Sequence, residues 1–299
     1  MLQRPGRVFS ATIDKYIYIT ANWRWDGKVR AGYSQVELVD RADVLENVLI
    51  RETLNYVGIS HGIEITSVAD LPGGTGLGSS SAYVVGLLTA LTALAGGVIS
   101  PWELAEAAYR IEHDSCGQPV GRQDHYAAAF GGVKSYVFDL DDGCSALPGP
   151  SLDFVEPWVM LGYTGRTRNA STLLRKQLVD YPSTMPILDG MVEQAKWAEK
   201  VAEVESPKQM GQLLSHAWSL KKMLGNVTSR EIDQLYARAI QAGAMGGKIN
   251  GAGKGGFMTL IAEPRFHDQI KSALHEIVFV PVRFSEGGAQ VVYDDTGEK

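Results

Sequence analysis

Leu71-Pro72-Gly73-Gly74-Thr75-Gly76-Leu77-Gly78-Ser79-Ser80-Ser81 decides how the rest of the chain is read. The glycines and the proline forbid a regular element here, because glycine tolerates positive φ and proline blocks helix propagation. Three serines follow, and then the apolar run Ala82–Leu94. Serine is a good N-cap, so a helix is expected to start at about Ser79. A glycine-rich loop running into a helix N-terminus offers free backbone N–H groups and the positive dipole end to an anion. The serine hydroxyls can also reach a cation held by phosphates. Pro72 to Ser80 therefore reads as a phosphate cradle. It is not a P-loop, because no lysine follows Gly78, and it is not a dinucleotide fingerprint, because Ser79 stands where the last glycine belongs. The plainer alternative is a turn and a capped helix in some α/β enzyme.

Composition narrows the class. The 299 residues are enough for two domains, and 45% hydrophobic with 21% charged residues suits a chain that buries a sizeable core. A net charge of −6 argues against a nucleic-acid or anionic-membrane partner. Cys116 and Cys144 are the only cysteines, which excludes a disulfide scaffold and fits a reducing, cytoplasmic setting. No CxxC or HExxH spacing points to zinc. The first seven residues have no apolar core of the signal-peptide kind. Leu71 to Trp102 carries no charge, but Gly96-Gly97 stops the helix short of the roughly 20 residues a membrane span needs. A buried core helix is expected instead.

Taken in order, Val8–Ile19 alternates and reads as a strand pair or one long bent strand, and Lys28–Val39 as another pair. Ala42–Val57 has helical spacing, and Gly62–Val68 is a strand leading into the glycine loop. Ser100-Pro101 starts a helix that is expected to reach His113, and Asp124–Phe130 is a short helix ended by Gly131-Gly132. Val133–Phe138 is a strand. Asp139–Pro150, punctuated by glycine and proline, reads as the boundary between domains 1–145 and 146–299. The second half opens with strand Trp158–Tyr163. Helices are expected at Ser171–Leu178, Pro186–Glu203, Pro207–Leu224 and Ser229–Ala242. After a second glycine-rich stretch, Gly246–Phe257, come strand Phe257–Ala262, helix Pro264–Ile277 and strands Val278–Phe284 and Ala289–Tyr293. This order suggests an α+β architecture in two lobes.

Phosphoryl transfer needs a phosphate cradle, a divalent cation and a group that orients or deprotonates the acceptor hydroxyl. Ser80 at the helix start is a candidate cation ligand, and Glu112 can supply a carboxylate to the same ion; otherwise Glu112 is a solvated helix end. Asp124 is a helix cap or, if functional, a carboxylate kept ionised by the helix N-terminus and able to accept a hydroxyl proton. Arg122 can steady charge on the transferred group. His125, beside Asp124, reads as an ordinary surface or packing residue. Gly251–Gly256 is either a tight hairpin or a second loop of backbone donors closing over the ligand.

These residues have a family resemblance. Pro72–Ala82 resembles the phosphate-binding motif of the GHMP kinases (galactokinase, homoserine kinase, mevalonate kinase, phosphomevalonate kinase), and Gly251–Phe257 is similar to that superfamily's C-terminal glycine motif. The resemblance implies an N-lobe of the ribosomal protein S5 domain 2 type and a ferredoxin-like C-lobe. It implies ATP bound on Pro72, Gly73, Gly74, Thr75, Gly76, Leu77, Gly78, Ser79 and Ser80. It implies Mg²⁺ on Ser80 and Glu112, and Asp124 as the catalytic aspartate. Ser10–Tyr16, Gly121–Gly132 and Tyr163–Ser171 are most similar to the D-glycero-D-manno-heptose-7-phosphate kinases, which phosphorylate the anomeric hydroxyl of a sugar that already carries a phosphate. Arg166 and Arg168 fit such a substrate, or form an ordinary basic loop, and Gly251 and Gly253 stand on the acceptor side. A small-molecule sugar or sugar phosphate is then the partner, with a monomer or homodimer as the working form. A fucose- or galactose-like acceptor and a non-catalytic nucleotide- or sugar-binding regulator are the alternatives. Two departures stand out. The superfamily's first motif, with an arginine and a Gly-Gly-Gly-Thr-Asp-like turn at the acceptor site, would precede Val8 and is not in the sequence. Either the start lies downstream of the true one or the acceptor-side strand has been lost; in the second case activity is in doubt and an edge of the N-terminal sheet is expected to be exposed. Lys254 occupies a position usually held by glycine.

Overall fold

A computed structural model describes residues 5–140, 143–166 and 181–295, the side chains of residues 181 and 182 excepted. Val8–Ile19, expected as a strand pair or one long bent strand, is two strands, β1 (Gly6–Ala11) and β2 (Ile17–Trp23), which belong to different sheets rather than pairing with each other. Between them, Tyr16 N–H donates to the Asp70 carboxylate at 2.9 Å, which fixes the entry to β2. β3 (Val29–Gly32) and β4 (Val36–Val39) form the expected antiparallel pair. The expected helix over Ala42–Val57 is a 3₁₀ turn, Ala42–Val44, and then α1 (Val48–Val57), capped by the Asn47 side chain. β5 (Ile63–Ala69) leads into the glycine loop, and α2 (Ser79–Leu94) leaves it.

α3 (Pro101–Arg110) begins with a full capping box, Ser100 and Glu103 bonding reciprocally. It runs into a single π turn, Ile111–Ser115, closed by Cys116 N–H donating to Ile111 C=O at 2.9 Å. α4 (Gln123–Phe130) is followed by β6 (Val133–Phe138) and β7 (Cys144–Pro148), which pair as an antiparallel hairpin. The stretch read as a domain boundary, Asp139–Pro150, thus contains a paired strand.

β8 (Val159–Tyr163), α5 (Tyr181–Glu203), α6 (Pro207–Met223) and α7 (Arg230–Gln241) follow. The helix expected at Ser171–Leu178 lies outside the described residues. β9 (Ala244–Ile249) and β10 (Phe257–Ala262) flank the second glycine loop. A 3₁₀ turn at Pro264–Phe266, α8 (His267–Ala273) and β11 (Val278–Val280) replace the longer helix and strand expected there. Residues Ala289–Tyr293 form no strand. Gly288 instead lies against the end of α4, and Ala289 N–H donates to Ala128 C=O at 2.9 Å, so that segment's backbone is engaged by a helix terminus.

The chain divides into two compact units. One comprises Lys15–Gly73, Gly78–Gly131 and Gly287–Lys299. Its sheet has the order β2-β5-β3-β4, with only β3 and β5 parallel. α2 lies on this sheet so closely that a Cβ at Gly86 would come within 3.1 Å of Ile19. Val29, Ile50, Leu54, Ile63, Ile65, Leu87 and Leu91 form the core there. α2 is buried on most of its circumference, as its uncharged sequence requires. Among the described residues, no helix is long and apolar enough to cross a membrane.

The other unit comprises Met1–Asp14, Gly74–Leu77 and Gly132–Glu286. It holds the sheet β1-β6-β7 and the antiparallel sheet β11-β8-β10-β9. Its larger core joins Met160, Trp218, Ile232, Ile249, Met258, Leu260 and Ile270. Arg7 on β1 makes a bidentate ion pair with Glu199 on α5, at 2.9 and 2.8 Å, and Ser135 on β6 donates to the same carboxylate.

Candidate active site

The glycine loop turns because Gly74, Gly76 and Gly78 have φ of 73°, 85° and 71°. These left-handed conformations suit glycine and strain other residues. Helix α2 starts directly after Gly78, which is its N-cap and supplies no side-chain bond. The serines therefore do not cap the helix as expected; they lie in its first turn, where Ser80 and Ser81 meet Glu112. Ser80 Oγ donates to Oε1 of Glu112, and Ser81 Oγ donates to Oε2 at 3.0 Å.

Glu112 is not a solvated helix end. Glu112 lies in the π turn and continues the buried face of Leu104 and Ala108, where it is 1% exposed, while the neighbouring side chains of His113 and Asp114 are 44% and 64% exposed. Burial alone would push its carboxyl up. His125, with Nε2 2.7 Å from Oε2, and the two serine hydroxyls outweigh burial and hold it below the ordinary carboxylate value. The group is ionised at neutral pH.

Asp124 stands in the first turn of α4 rather than at its cap; Arg122 occupies the cap without a side-chain bond. It is exposed, and it adjoins the loop–helix junction: a Cβ on Gly78 would lie 3.2 Å from Asp124 Cβ. Arg122 is placed differently from the sequence expectation. Its guanidinium is 3.4 Å from the buried Glu106 carboxylate and 4.8 Å over the Tyr109 ring. Tyr126 Oη donates to the same Glu106 oxygen at 2.6 Å. Ser80, Glu112 and Asp124 thus gather at the start of α2, whereas Arg122 belongs to a neighbouring polar cluster.

In the other unit, the second glycine stretch is a tight loop between β9 and β10. Phe257 N–H donates to Thr75 C=O at 3.0 Å, and a Cβ on Gly256 would lie 2.1 Å from that oxygen. Gly256 N–H donates to Arg166 C=O at 2.8 Å. Gly253 has φ of 100° and would clash with Val227 C=O if it carried a Cβ. Gly251 C=O accepts from Lys221 Nζ. Lys254 takes φ of 60° at the position expected to favour glycine, and its ammonium bonds Asn226 Oδ1. Arg166 lines a cavity of about 600 Å³ with Glu231, Gln234, Arg238 and Glu276. Arg168 lies outside the described residues.

Serine hydroxyl and carboxylate are the hard oxygen donors that Mg²⁺ accepts, so Ser80 and Glu112 fit that ion. Among the described residues no group of three or more His, Cys, Asp or Glu could hold a metal by itself. An ion at Ser80 and Glu112 would need phosphate oxygens to complete its shell, as a nucleotide-bound Mg²⁺ does. Reading the sequence missed Ser81, Glu106 and His125. The buried face of α4, His125 with Ala129 at i, i+4, was the available signal for the last.

The GHMP kinases N terminal domain family matches residues 37–132, and the GHMP kinases C terminal family matches residues 197–278. The chain is 29% identical over 282 residues to a D-glycero-alpha-D-manno-heptose 7-phosphate kinase of Campylobacter jejuni, covering 87% of this chain and 82% of that one. It is 32% identical over 273 residues to a mevalonate kinase of Pyrococcus horikoshii, covering 88% and 74%. The fold is similar to that of a D-glycero-D-manno-heptose 1-phosphate kinase from Bacteriodes thetaiotaomicron, with a TM-score of 0.79 over 97% of this chain and 92% of the other, at 24% identity.

Proposed function

The chain belongs to the GHMP kinases, and on that premise we propose that it transfers the γ-phosphate of ATP to a sugar hydroxyl, the anomeric hydroxyl of D-glycero-D-manno-heptose 7-phosphate. The observation that carries this reading is the convergence of Ser80, Glu112 and Asp124 at the start of α2, directly after the loop of alternating left-handed glycines. Backbone N–H groups of Gly73–Ser80 would receive the triphosphate, as helix N-termini do. Ser80 and Glu112 would hold Mg²⁺, which when bound offsets charge on the β- and γ-phosphates. Asp124, exposed beside Gly78, would orient or deprotonate the acceptor hydroxyl. Arg122 serves through Glu106 and Tyr109 by fixing the turn that carries Asp124. Arg166, with Arg168, is the candidate for the acceptor's own phosphate, and Gly251 and Gly253 are candidates for the acceptor side. The reading has the enzyme working in the cytoplasm as a monomer or homodimer.

A coupled ADP-release assay over heptose 7-phosphate, fucose, galactose and mevalonate tests the proposal. Mevalonate is included because of the 32% identity to a mevalonate kinase. Heptose 7-phosphate is expected to turn over best. Asp124→Asn is expected to lower turnover by about 10²–10⁴-fold while the affinity for a non-hydrolysable ATP analogue is retained. Absence of turnover with all four acceptors would refute the kinase reading. Activity confined to mevalonate would refute the heptose assignment alone.

A further inference from the structure

His125 is a buried polar group that the proposed reaction leaves unused. It is 0% exposed on the first turn of α4, and its Nε2 lies 2.7 Å from Oε2 of Glu112. Neither ring nitrogen makes a hydrogen bond of regular geometry, so the Nε2–Oε2 contact acts chiefly as an electrostatic one. Tyr109 meets the imidazole edge-on, with centroids 5.8 Å apart, and limits its rotation. Nδ1 has no hydrogen-bond partner among the described residues. A proton on Nδ1 would be a desolvated donor without an acceptor. A proton on Nε2 faces a carboxylate. Nε2 is thus the ring nitrogen that stands against Glu112.

The two oxygens of Glu112 then have different surroundings. Oε2 takes the buried partners, Ser81 Oγ at 3.0 Å and His125 Nε2. Oε1 takes only Ser80 Oγ, and Ser80 is exposed. A carboxylate with two free oxygens can swing or bind an ion through either one; this carboxylate has one oxygen tied to the interior. We infer that His125 is a positioning residue that holds Oε2 of Glu112 inside the protein, so that Oε1 and Ser80 Oγ are the pair presented to the cation. This rests on the reading of Glu112 and Ser80 as cation ligands. Partners behind a metal ligand typically change metal affinity by about 10–100-fold when removed.

The test uses the whole chain with Mn²⁺ as the probe, titrated by electron paramagnetic resonance in the presence of a non-hydrolysable ATP analogue. Glu112→Gln serves as the reference. His125→Leu removes the N–H and keeps an apolar filling; His125→Gln restores a donor of similar reach. His125→Leu is expected to weaken Mn²⁺ binding about tenfold or more and His125→Gln to stay within about threefold of the parent. Analogue affinity in excess chelator should be unchanged in both. If Glu112→Gln weakens Mn²⁺ binding and His125→Leu does not, the positioning role is wrong and the ligand reading stands. If Glu112→Gln itself has no effect, the ligand reading is wrong and this inference falls with it. A loss in His125→Gln as large as in His125→Leu overturns the donor role. Should His125→Leu fail to fold, the ¹⁵N-histidine spectrum of the parent decides, with His125 assigned by its absence from His125→Gln. A proton on Nε2 and a shift of that resonance on adding Mg²⁺ with the analogue support the inference; a proton on Nδ1 overturns it.

Discussion

Gly78→Ala should separate backbone strain from displacement of Asp124. Gly78 has φ of 71° and ψ of 18°, so alanine there must hold a left-handed conformation at about 1–2 kcal/mol. The added Cβ would also stand 3.2 Å from Asp124 Cβ and 3.3 Å from its Cγ. Carbon pairs settle at about 3.5–4.0 Å, so one side must yield by about half an ångström. α2 is packed into its core, whereas Asp124 is exposed on a short helix, so Asp124 moves. A 1 Å misplacement near reacting atoms typically costs about 10²-fold in rate, which scales to about tenfold here. Gly58→Ala supplies the control. Gly58 has φ of 76° and nothing within 4 Å of the position a Cβ would take, and it caps α1 away from Asp124. Both variants are expected to lose about 1–2 kcal/mol in urea unfolding. In the coupled ADP-release assay, only Gly78→Ala is expected to lose about tenfold in kcat. Equal kcat in the two variants would refute the claim that this contact sets the position of Asp124.

Other perturbations test the scaffold. Arg7→Ala or Glu199→Ala should lower stability by about 1.5–3 kcal/mol, because a partly buried bidentate pair is broken and the Ser135 contact to the same carboxylate is disturbed; a loss below 0.5 kcal/mol in urea unfolding would show that water replaces the pair. Lys254→Gly should gain about 0.5–1 kcal/mol, since relief of the left-handed backbone exceeds the added freedom of the unfolded chain; a loss in the same measurement would mean that the contact to Asn226 outweighs the strain. Burial, with the carboxylates of Glu52 and Glu112, pushes the Cys116 thiol up to about 11 from an ordinary 9.0. The neutral thiol's contribution to stability is therefore present below about pH 9 and lost as pH rises toward 11. At pH 8 its thiolate fraction is about a hundredfold smaller than that of an ordinary cysteine. In a Cys144→Ser background, iodoacetamide should label the native chain at least about a hundredfold more slowly than the urea-unfolded chain, and similar rates would contradict the shift.

What could be read in advance was local. The capping box at Ser100 and Glu103, the hairpin β3–β4 and the uncharged helix α2 follow from neighbours within a few residues, and each formed as the spacing required. The split of Val8–Ile19 into two sheets could not be read the same way. Alternation specifies a strand but not its partner, and β1 pairs with β6 across more than a hundred residues while β2 pairs with β5. The long expected helix at Pro264–Ile277 stopped at Ala273 because Leu274 leaves helical geometry, a choice made by its burial in the core rather than by its propensity.

The candidate site divides along the same line. Glycines that need positive φ are visible as glycines, so both loops could be located from composition alone. The orientation of Glu112 could not. Glu112-His113-Asp114 is a uniformly polar run at the end of a helix; Glu112 alone falls at i+4 and i+8 from buried Ala108 and Leu104, but a charged side chain there gives no apolar signal of burial. The chain passes into a π turn there, and Glu112 lies beneath Ser80 and Ser81. A π turn carries poorer backbone geometry than the α-helix it interrupts, and it persists only where other contacts outweigh that penalty. Here those contacts are two serine hydroxyls and an imidazole on one buried carboxylate. They come from the loop–helix junction and from α4, so the surroundings of Glu112 depend on residues 32 and 31 positions upstream and 13 downstream. The glycine loop's helix start and the π turn therefore meet on one buried carboxylate, which neither stretch positions alone.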